Sequence, residues 1–281
     1  MKIDFFKYQG TGNDFIIIDN RGLEYNLSKK QVAYLCNRRF GIGADGLMLL
    51  ENHDNLDFEM RYFNADGAEA SLCGNGGRCM VAFAKMQGLF TNSTKFMAVD
   101  GVHEASINKK GIVDLKMLDV TTIRKTLNGY YLNTGSPHYV TFVDNADILD
   151  VFVEGRNIRY HKEFSPDGCN VNFVDEIETG IIKVYTYERG VENETLSCGT
   201  GVVAAAISSY IKNRPSTDNF SVQTKGGNLS VKFSCTETKK ASQNKNLLFT
   251  NIWLSGPAEF VFSGYIKLNQ TISTTNPIAI G

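Results

Sequence analysis

Two cysteines stand out as residues able to do acid–base chemistry, because each is followed by Gly-x-Gly. They lie in Leu72-Cys73-Gly74-Asn75-Gly76-Gly77-Arg78 and Ser197-Cys198-Gly199-Thr200-Gly201, 125 positions apart (198 minus 73). A small-residue run follows each one, Cys79 to Met86 and Val202 to Ile211, and reads as a helix. Each cysteine is thus expected at a helix N-terminus, where unpaired N–H groups and the positive end of the helix dipole favour an anion and a thiolate. Glycines there let the backbone approach a carboxylate closely. A small amino acid held through its α-carboxylate by both helix starts would have a sulfur on each face of its α-carbon. One thiolate could then remove the α-proton while the other thiol delivers a proton to the opposite face, inverting the centre. Donors aimed at the carboxylate would stabilise the developing carbanion without a cofactor.

A chain of 281 residues is long enough for about two domains with real cores. The net charge of −1 gives no electrostatic case for nucleic acid or an anionic membrane as partner. No apolar run approaches the roughly 20 residues needed to span a bilayer, and the start Met1-Lys2-Ile3-Asp4-Phe5 lacks a signal-peptide pattern, so a cytoplasmic location is the expectation. Six cysteines show no CxxC pair and no regular spacing, which suggests neither a zinc ribbon nor a disulfide framework. Cys36, Cys79, Cys169 and Cys235 are read as packing residues.

The elements that must position the two corners come in a repeating order. Ile3–Gln9 and Phe15–Asp19 read as strands around the turn Gly10-Thr11-Gly12-Asn13-Asp14, and Ser28 caps a helix to about Cys36. Gly41-Ile42-Gly43-Ala44-Asp45-Gly46 matches GxGxxG, but it follows a helix and precedes a strand, the reverse of a dinucleotide site. Further strands are expected over Leu47–Glu51, Phe58–Phe63, Lys95–Val99, Val102–Ile107 and Ile112–Met117. The offset of 125 that aligns the cysteines also sets Asn64 on Arg189 and Gly43 on Gly168, and a slip to 123 sets Thr11-Gly12-Asn13 on Thr134-Gly135-Ser136. The second half is expected to hold strands His138–Val143, Val171–Val174, Ile181–Glu188, Ser221–Thr224 and Leu229–Ser234, with a helix over Ile148–Ile158. A polar insert, Thr236–Asn246, reads as a hairpin tip before strands Leu247–Leu254 and Phe260–Ile266, and Gln270–Gly281 as a loosely held tail. Duplication predicts an α+β fold of two pseudo-symmetric domains with the two corners facing one ligand.

Single residues around the corners are open to plainer readings. Asn13 and Asn64 sit in turn sequences that serve conformation as well as binding, Glu188-Arg189 could be a surface pair, and His138 after Pro137 could be structural. Arg189 stands nine residues before Cys198, as Asn64 stands nine before Cys73, which favours a site-lining role for both.

At these residues the sequence resembles the diaminopimelate epimerase family. The matching stretches are Gly10-Thr11-Gly12-Asn13-Asp14-Phe15, Arg39-Phe40-Gly41-Ile42-Gly43-Ala44-Asp45-Gly46, Phe63-Asn64-Ala65-Asp66-Gly67, Cys73 to Arg78, Gly135-Ser136-Pro137-His138, Asn170-Val171-Asn172-Phe173, Glu188-Arg189-Gly190 and Ser197 to Gly201. The resemblance implies a cofactor-independent epimerase that interconverts LL- and meso-2,6-diaminopimelate in lysine and peptidoglycan-precursor synthesis. It implies a curved sheet around a central helix in each domain, with the C-terminal strand returning to the first. The expected limits are 1–118 plus 263–281 and 119–262. Carried over by position, Cys73 and Cys198 are the acid–base pair, and Gly74, Asn75, Gly199 and Thr200 hold the reacting carboxylate. Asn13, Asn64, Asn170, Glu188 and Arg189 bind the rest of the substrate, while His138 and Glu188 tune the thiols. No metal is implied. The partner is a small-molecule substrate, with a homodimer left open. Ser136 stands where many members have Asn, and Gly46 where many have Gln. The rival reading is a proline or hydroxyproline racemase; those substrates lack a distal amino acid end, so Arg189 discriminates, because its charged fork suits a second carboxylate.

Overall fold

The structure, a computed structural model, describes residues 1–239 and 245–268. Contacts divide the chain into two units, Met1–Asn108 with the segment from Ala258 onward, and Lys109–Pro257.

In the first unit, β1 (Lys2–Gly10), β2 (Asn13–Asp19), β3 (Gly46–Glu51), β4 (Phe58–Asn64), β5 (Ser93–Ala98) and β6 (Gly101–Ile107) are rich in the β-branched and aromatic residues that fill pleated surfaces. Helix α1 (Lys29–Cys36) begins at a capping box: Ser28 accepts from the Gln31 N–H, and the Gln31 side chain accepts from the Ser28 N–H at 2.8 Å. Helix α2 (Gly74–Met86) follows β4. Pairing runs β1–β2 antiparallel, β2–β3 parallel, β3–β4 antiparallel, β4–β5 parallel and β5–β6 antiparallel. The last strand, Glu259–Lys267, returns to pair antiparallel with β1.

The second unit holds β7 (Ile112–Lys116), β8 (Ile123–Thr126), β9 (Gly129–Asn133), β10 (Pro137–Phe142), β11 (Asn170–Glu178), β12 (Ile181–Glu188), β13 (Asn193–Thr195), β14 (Asn219–Thr224), β15 (Gly227–Lys239) and β16 (Lys245–Pro257), with helices α3 (Val151–Arg159) and α4 (Gly199–Asn213). From β9 the pairing is β9–β10 antiparallel, β10–β11 parallel, β11–β12 antiparallel, β12–β14 parallel and β14–β15 antiparallel. This is the order of senses found from β1 to β6, so the duplication inferred from cysteine spacing is a duplication of topology. In each unit a parallel step must be bridged by a crossover, and α2 and α4 are the crossovers that end β4–β5 and β12–β14.

Both crossover helices are central rather than superficial. In α4 every residue from Gly201 to Ser209 is buried, and in α2 burial extends even to Arg78. A helix that is apolar or small on all sides can only be stable inside a core. Around α4 the core is Val140, Val174, Val184, Val222, Val231, Phe233, Phe249 and Leu254.

Three expectations need adjustment. The stretch Ile148–Ile158 is a short 3-10 turn at Ala146–Ile148 followed by α3, because the Asp150 carboxylate accepts from the Val153 N–H at 3.0 Å and starts the helix afresh. The hairpin β8–β9 was not expected, although Asn128-Gly129 signals one; Leu127 and Asn128 both take positive φ, 45° and 63°, as its tight turn requires. The strand β7, placed by sequence at the end of the first half, hydrogen-bonds to β16 inside the second unit, so contacts draw the limits at 108/109 and 257/258 rather than at 118/119 and 262/263. Strands β15 and β16 run into the polar insert as far as Lys239 and from Lys245; its tip and the tail Gln270–Gly281 lie outside the described residues.

Candidate active site

Cys73 and Cys198 occupy the same position in their units, the N-cap of the central crossover helix, and neither side chain caps its own helix. The first intrahelical bonds are Gly77 N–H to Cys73 O (2.7 Å) and Val202 N–H to Cys198 O (2.9 Å). The N–H groups of Gly74, Asn75 and Gly76, and of Gly199, Thr200 and Gly201, therefore precede the helical ladder and suit an anion. No acidic residue stands in either first turn to compete for that role.

In the first unit, Cys73 donates through Sγ to Asn13 Oδ1 at 3.6 Å. Asn13 Oδ1 also accepts from Asn75 Nδ2 at 3.4 Å, and Asn13 Nδ2 donates to Asp45 Oδ2 at 2.7 Å. Beneath them, fully buried Arg78 donates to Asn75 Oδ1 (3.1 Å), Thr11 Oγ1 (3.2 Å) and Gly74 O (3.3 Å). Beyond Asp45, Arg38 bridges to Asp14 and Asp45, and buried Lys7 pairs with Asp14 at 2.8 Å. Burial would push the Asp14 carboxyl up, but hydrogen bonds and charge from Arg38 and Lys7 outweigh it and hold it well below the usual carboxylate range. Asn64 ends β4 opposite Gly46, and its backbone closes the turn to Gly67 and Ala68. Its side chain is exposed and does not join the Cys73 cluster. A Cβ at Gly46 would lie 2.6 Å from the Tyr62 ring and 2.8 Å from Phe63 O, so the tyrosine fills the space a longer residue would take there.

In the second unit, Cys198 Sγ lies 3.5 Å from Thr200 Oγ1. His138 Nε2 is 2.9 Å from both Thr200 Oγ1 and Ser136 Oγ, and those two hydroxyls are 3.2 Å apart. Asn170, which faces His138 across the β10–β11 ladder, donates to Ser136 Oγ (3.1 Å) and accepts from the Arg189 N–H (2.8 Å). Ser136 thus has a full set of partners despite its departure from the common pattern. Glu188 and Arg189 close β12, both half-buried, with the Arg189 Nη1 at 3.5 Å from Asp167 O.

Asn172 was missed as a site residue, although Asn170 and Asn172 share one face of a strand and alternate with apolar Val171 and Phe173. Its Nδ2 donates to Tyr139 O (3.1 Å) and to His138 Nδ1 (3.0 Å), and its Oδ1 accepts from Thr186 Oγ1 (3.0 Å). A backbone carbonyl can only accept, so the amide orientation is determined, Nδ1 must be the acceptor, and the imidazole proton sits on Nε2. Burial pushes His138 down to about 3, and the charge of Arg189 acts in the same direction. His138 is therefore neutral at physiological pH.

That depression has a sign that can be tested. Between about pH 3 and the ordinary 6.5, the unfolded chain binds the histidine proton and the folded one does not. Stability is complete above about 6.5 and is lost as pH falls, by up to about 1.4 kcal/mol per pH unit. Urea unfolding from pH 7 to 4 should show this slope, and His138→Gln should flatten it.

The glycines after the two cysteines are not equivalent. A Cβ at Gly201 would collide with Asn172 Oδ1, whereas one at Gly76 would meet Met48 Sδ at 3.3 Å and Phe15 at 3.4 Å. Gly201→Ala should therefore cost about 1–3 kcal/mol and displace the His138 network, while Gly76→Ala should stay within about 1 kcal/mol of the parent. Denaturant midpoints of the two variants make the comparison.

In Cys36, Cys79, Cys169 and Cys235 burial raises the thiol pKa. Burial pushes Cys36, Cys79 and Cys169 each up to about 12, consistent with packing roles. Among the described residues no group of three or more His, Cys, Asp or Glu is placed to hold a metal ion, and no helix is long and apolar enough to cross a membrane.

With this geometry in hand, comparison with known sequences is decisive. The family model described as diaminopimelate epimerase matches residues 5–121 and 130–245, one segment for each repeat. The chain belongs to the diaminopimelate epimerase family. A diaminopimelate epimerase of Flavobacterium psychrophilum is 48% identical over 92% of this chain and 97% of its own. Two solved structures share the fold at low identity. A PhzF-family phenazine biosynthesis protein of Bacillus anthracis superposes with a TM-score of 0.71 at 16% identity, covering 95% of this chain and 100% of that one. A hydroxyproline epimerase of Agrobacterium vitis, solved with bound trans-4-hydroxy-L-proline, gives 0.65 at 14% identity, covering 96% and 94%. Diaminopimelate epimerase family membership and the α+β architecture of two repeated units thus agree with each other.

Proposed function

We propose that this protein is a cofactor-independent isomerase that interconverts LL- and meso-2,6-diaminopimelate, supplying lysine and peptidoglycan-precursor synthesis in the cytoplasm. The observation that carries the reading is the pair of N-cap cysteines on buried crossover helices of two topologically repeated units, in a chain of this family.

The substrate α-carboxylate accepts hydrogen bonds from the N–H groups at the starts of α2 and α4, at Gly74-Asn75 and Gly199-Thr200. One cysteine, as thiolate, takes the α-proton while the other, as thiol, gives its proton to the opposite face. The electron pair left on the α-carbon delocalises into the carboxylate, whose oxygens meet preorganised donors. After one turnover the thiol and thiolate have exchanged roles, so the reverse reaction begins from the state the forward one leaves. Asn13, Asn64, Asn170, Glu188 and Arg189 bind the remainder of the substrate, with the Arg189 guanidinium on the distal carboxylate. That contact favours diaminopimelate over proline-type substrates, whose single carboxylate leaves Arg189 unused. As an assembly we infer a homodimer, which sedimentation velocity would check; the last strand offers exposed Phe260, Val261, Phe262 and Tyr265 as apolar surface.

Proton NMR of LL-diaminopimelate in D₂O tests the activity. The α-proton signal should disappear with enzyme as meso isomer forms, and proline should keep its α-proton under the same conditions. No exchange with diaminopimelate, or equal exchange with proline, overturns the reading.

A further inference from the structure

The Cys73 thiol faces a hydrogen-bond acceptor whose orientation its neighbours fix. At Cys73 the neighbour is Asn13, an amide whose orientation is set from two ends. Asp45 can only accept, so Asn13 must turn Nδ2 toward it, at 2.7 Å. Arg78 can only donate, so Asn75 must turn Oδ1 toward it, at 3.1 Å, which leaves Asn75 Nδ2 to donate to Asn13 Oδ1, at 3.4 Å. Both constraints aim Asn13 Oδ1 at Cys73 Sγ, 3.6 Å away. An amide oxygen carries no proton, so it attracts a thiol and repels a thiolate.

At Cys198 the neighbour is a hydroxyl in place of an amide oxygen. The Nε2–H of His138 and the Nδ2–H of Asn170 both enter the Ser136–Thr200 hydroxyl pair as donors. Asn170 is fixed in that sense because its Oδ1 accepts from the Arg189 N–H and its Nδ2 also meets Pro137 O. Cys198 Sγ lies 3.5 Å from Thr200 Oγ1, a hydroxyl that can donate or accept.

We propose that Asp45 and Arg78 are positioning residues that lock the Asn13 amide with its oxygen on Cys73, so that the resting protein holds Cys73 as a protonated thiol. The charged and titratable groups around Cys73 are Arg78 and Cys79 on its own helix, Asp45 with Arg38 beyond Asn13, and Asp100 with His103, which meets the Leu72 N–H. The assignment rests on the epimerase reading only for what the protons are used for.

The test reads alkylation of each cysteine by iodoacetamide against pH, without substrate, by peptide mass spectrometry. Asn13→Ala, at a half-exposed turn position that tolerates alanine, removes the acceptor and should move the Cys73 midpoint down by about one pH unit, a tenfold change in thiolate fraction at neutral pH. Asp45→Asn loosens the lock and should move it part of the way. Arg38→Gln, which leaves Asp45 an acceptor, should not move it, and Cys198 should be unmoved in all three. A Cys73 profile unchanged by Asn13→Ala overturns the assignment. Because no turnover is measured, failure of the D₂O exchange experiment would leave these profiles interpretable, and failure of the profiles would leave the exchange result standing.

Discussion

Replacing Cys73 or Cys198 by alanine is expected to reduce epimerisation by about 10³-fold or more, because each face of the α-carbon then lacks its proton carrier. The variants should remain folded. Neither thiol caps its helix, so alanine removes no capping hydrogen bond. Serine makes the sharper experiment, since Ser is a preferred N-cap residue that a cysteine only occupies. Cys73→Ser and Cys198→Ser should equal or exceed the parent in stability, by up to about 1 kcal/mol, while turnover falls to a trace because a hydroxyl is a far poorer base. Stability and activity would then move in opposite directions at one atom. Loss of folding together with activity would point to a structural thiol, and near-normal turnover in either alanine variant would refute a two-base mechanism.

The second large effect is expected at Arg189. Its backbone N–H is held by Asn170 and its side chain is half-exposed, so the end of β12 places the guanidinium, with Nη1 3.5 Å from Asp167 O. A planar fork on a carboxylate is a charge-assisted, two-bond contact, and a lysine ammonium reproduces the charge without the geometry. Arg189→Lys should lower kcat/KM for diaminopimelate by roughly 10- to 100-fold, the equivalent of one lost bond to a charged group. Arg189→Ala should lower it further. Because Arg189 also helps keep His138 neutral, the alanine variant should bring the histidine closer to its ordinary value. An Arg189→Lys variant with unchanged kinetics would remove the distal-carboxylate contact from the proposal.

Much of this was legible because glycine and cysteine are informative when they repeat. The Cys-Gly-x-Gly spacing located both crossover helices and the repeat, and the alternation of β-branched runs located most strands. What escaped was local competition and long-range pairing. Asp150 restarts a helix that periodicity alone would have run on from Ile148, and β7 joins the second unit because its partner β16 comes well over a hundred residues later. The candidate residues fared similarly. Asn13, Asn75, Thr200, Asn170 and His138 converge on the thiols within their units, while Asn64 stands apart from the Cys73 cluster.

By itself the sequence determined the family, the duplicated α+β plan, and the two cysteines at helix starts, because each rests on residue identities at spacings that few folds would tolerate by chance. Only the tertiary structure decided the polarity around those thiols. An asparagine reads the same in a sequence whichever way its amide points, and it is the acceptor-only carboxylate of Asp45, the donor-only guanidinium of Arg78 and the carbonyl of Tyr139 that choose the direction. Those partners lie 32, 3 and 33 positions from the amides they orient, in Asn13, Asn75 and Asn172, and the two distant ones meet only once the chain has folded.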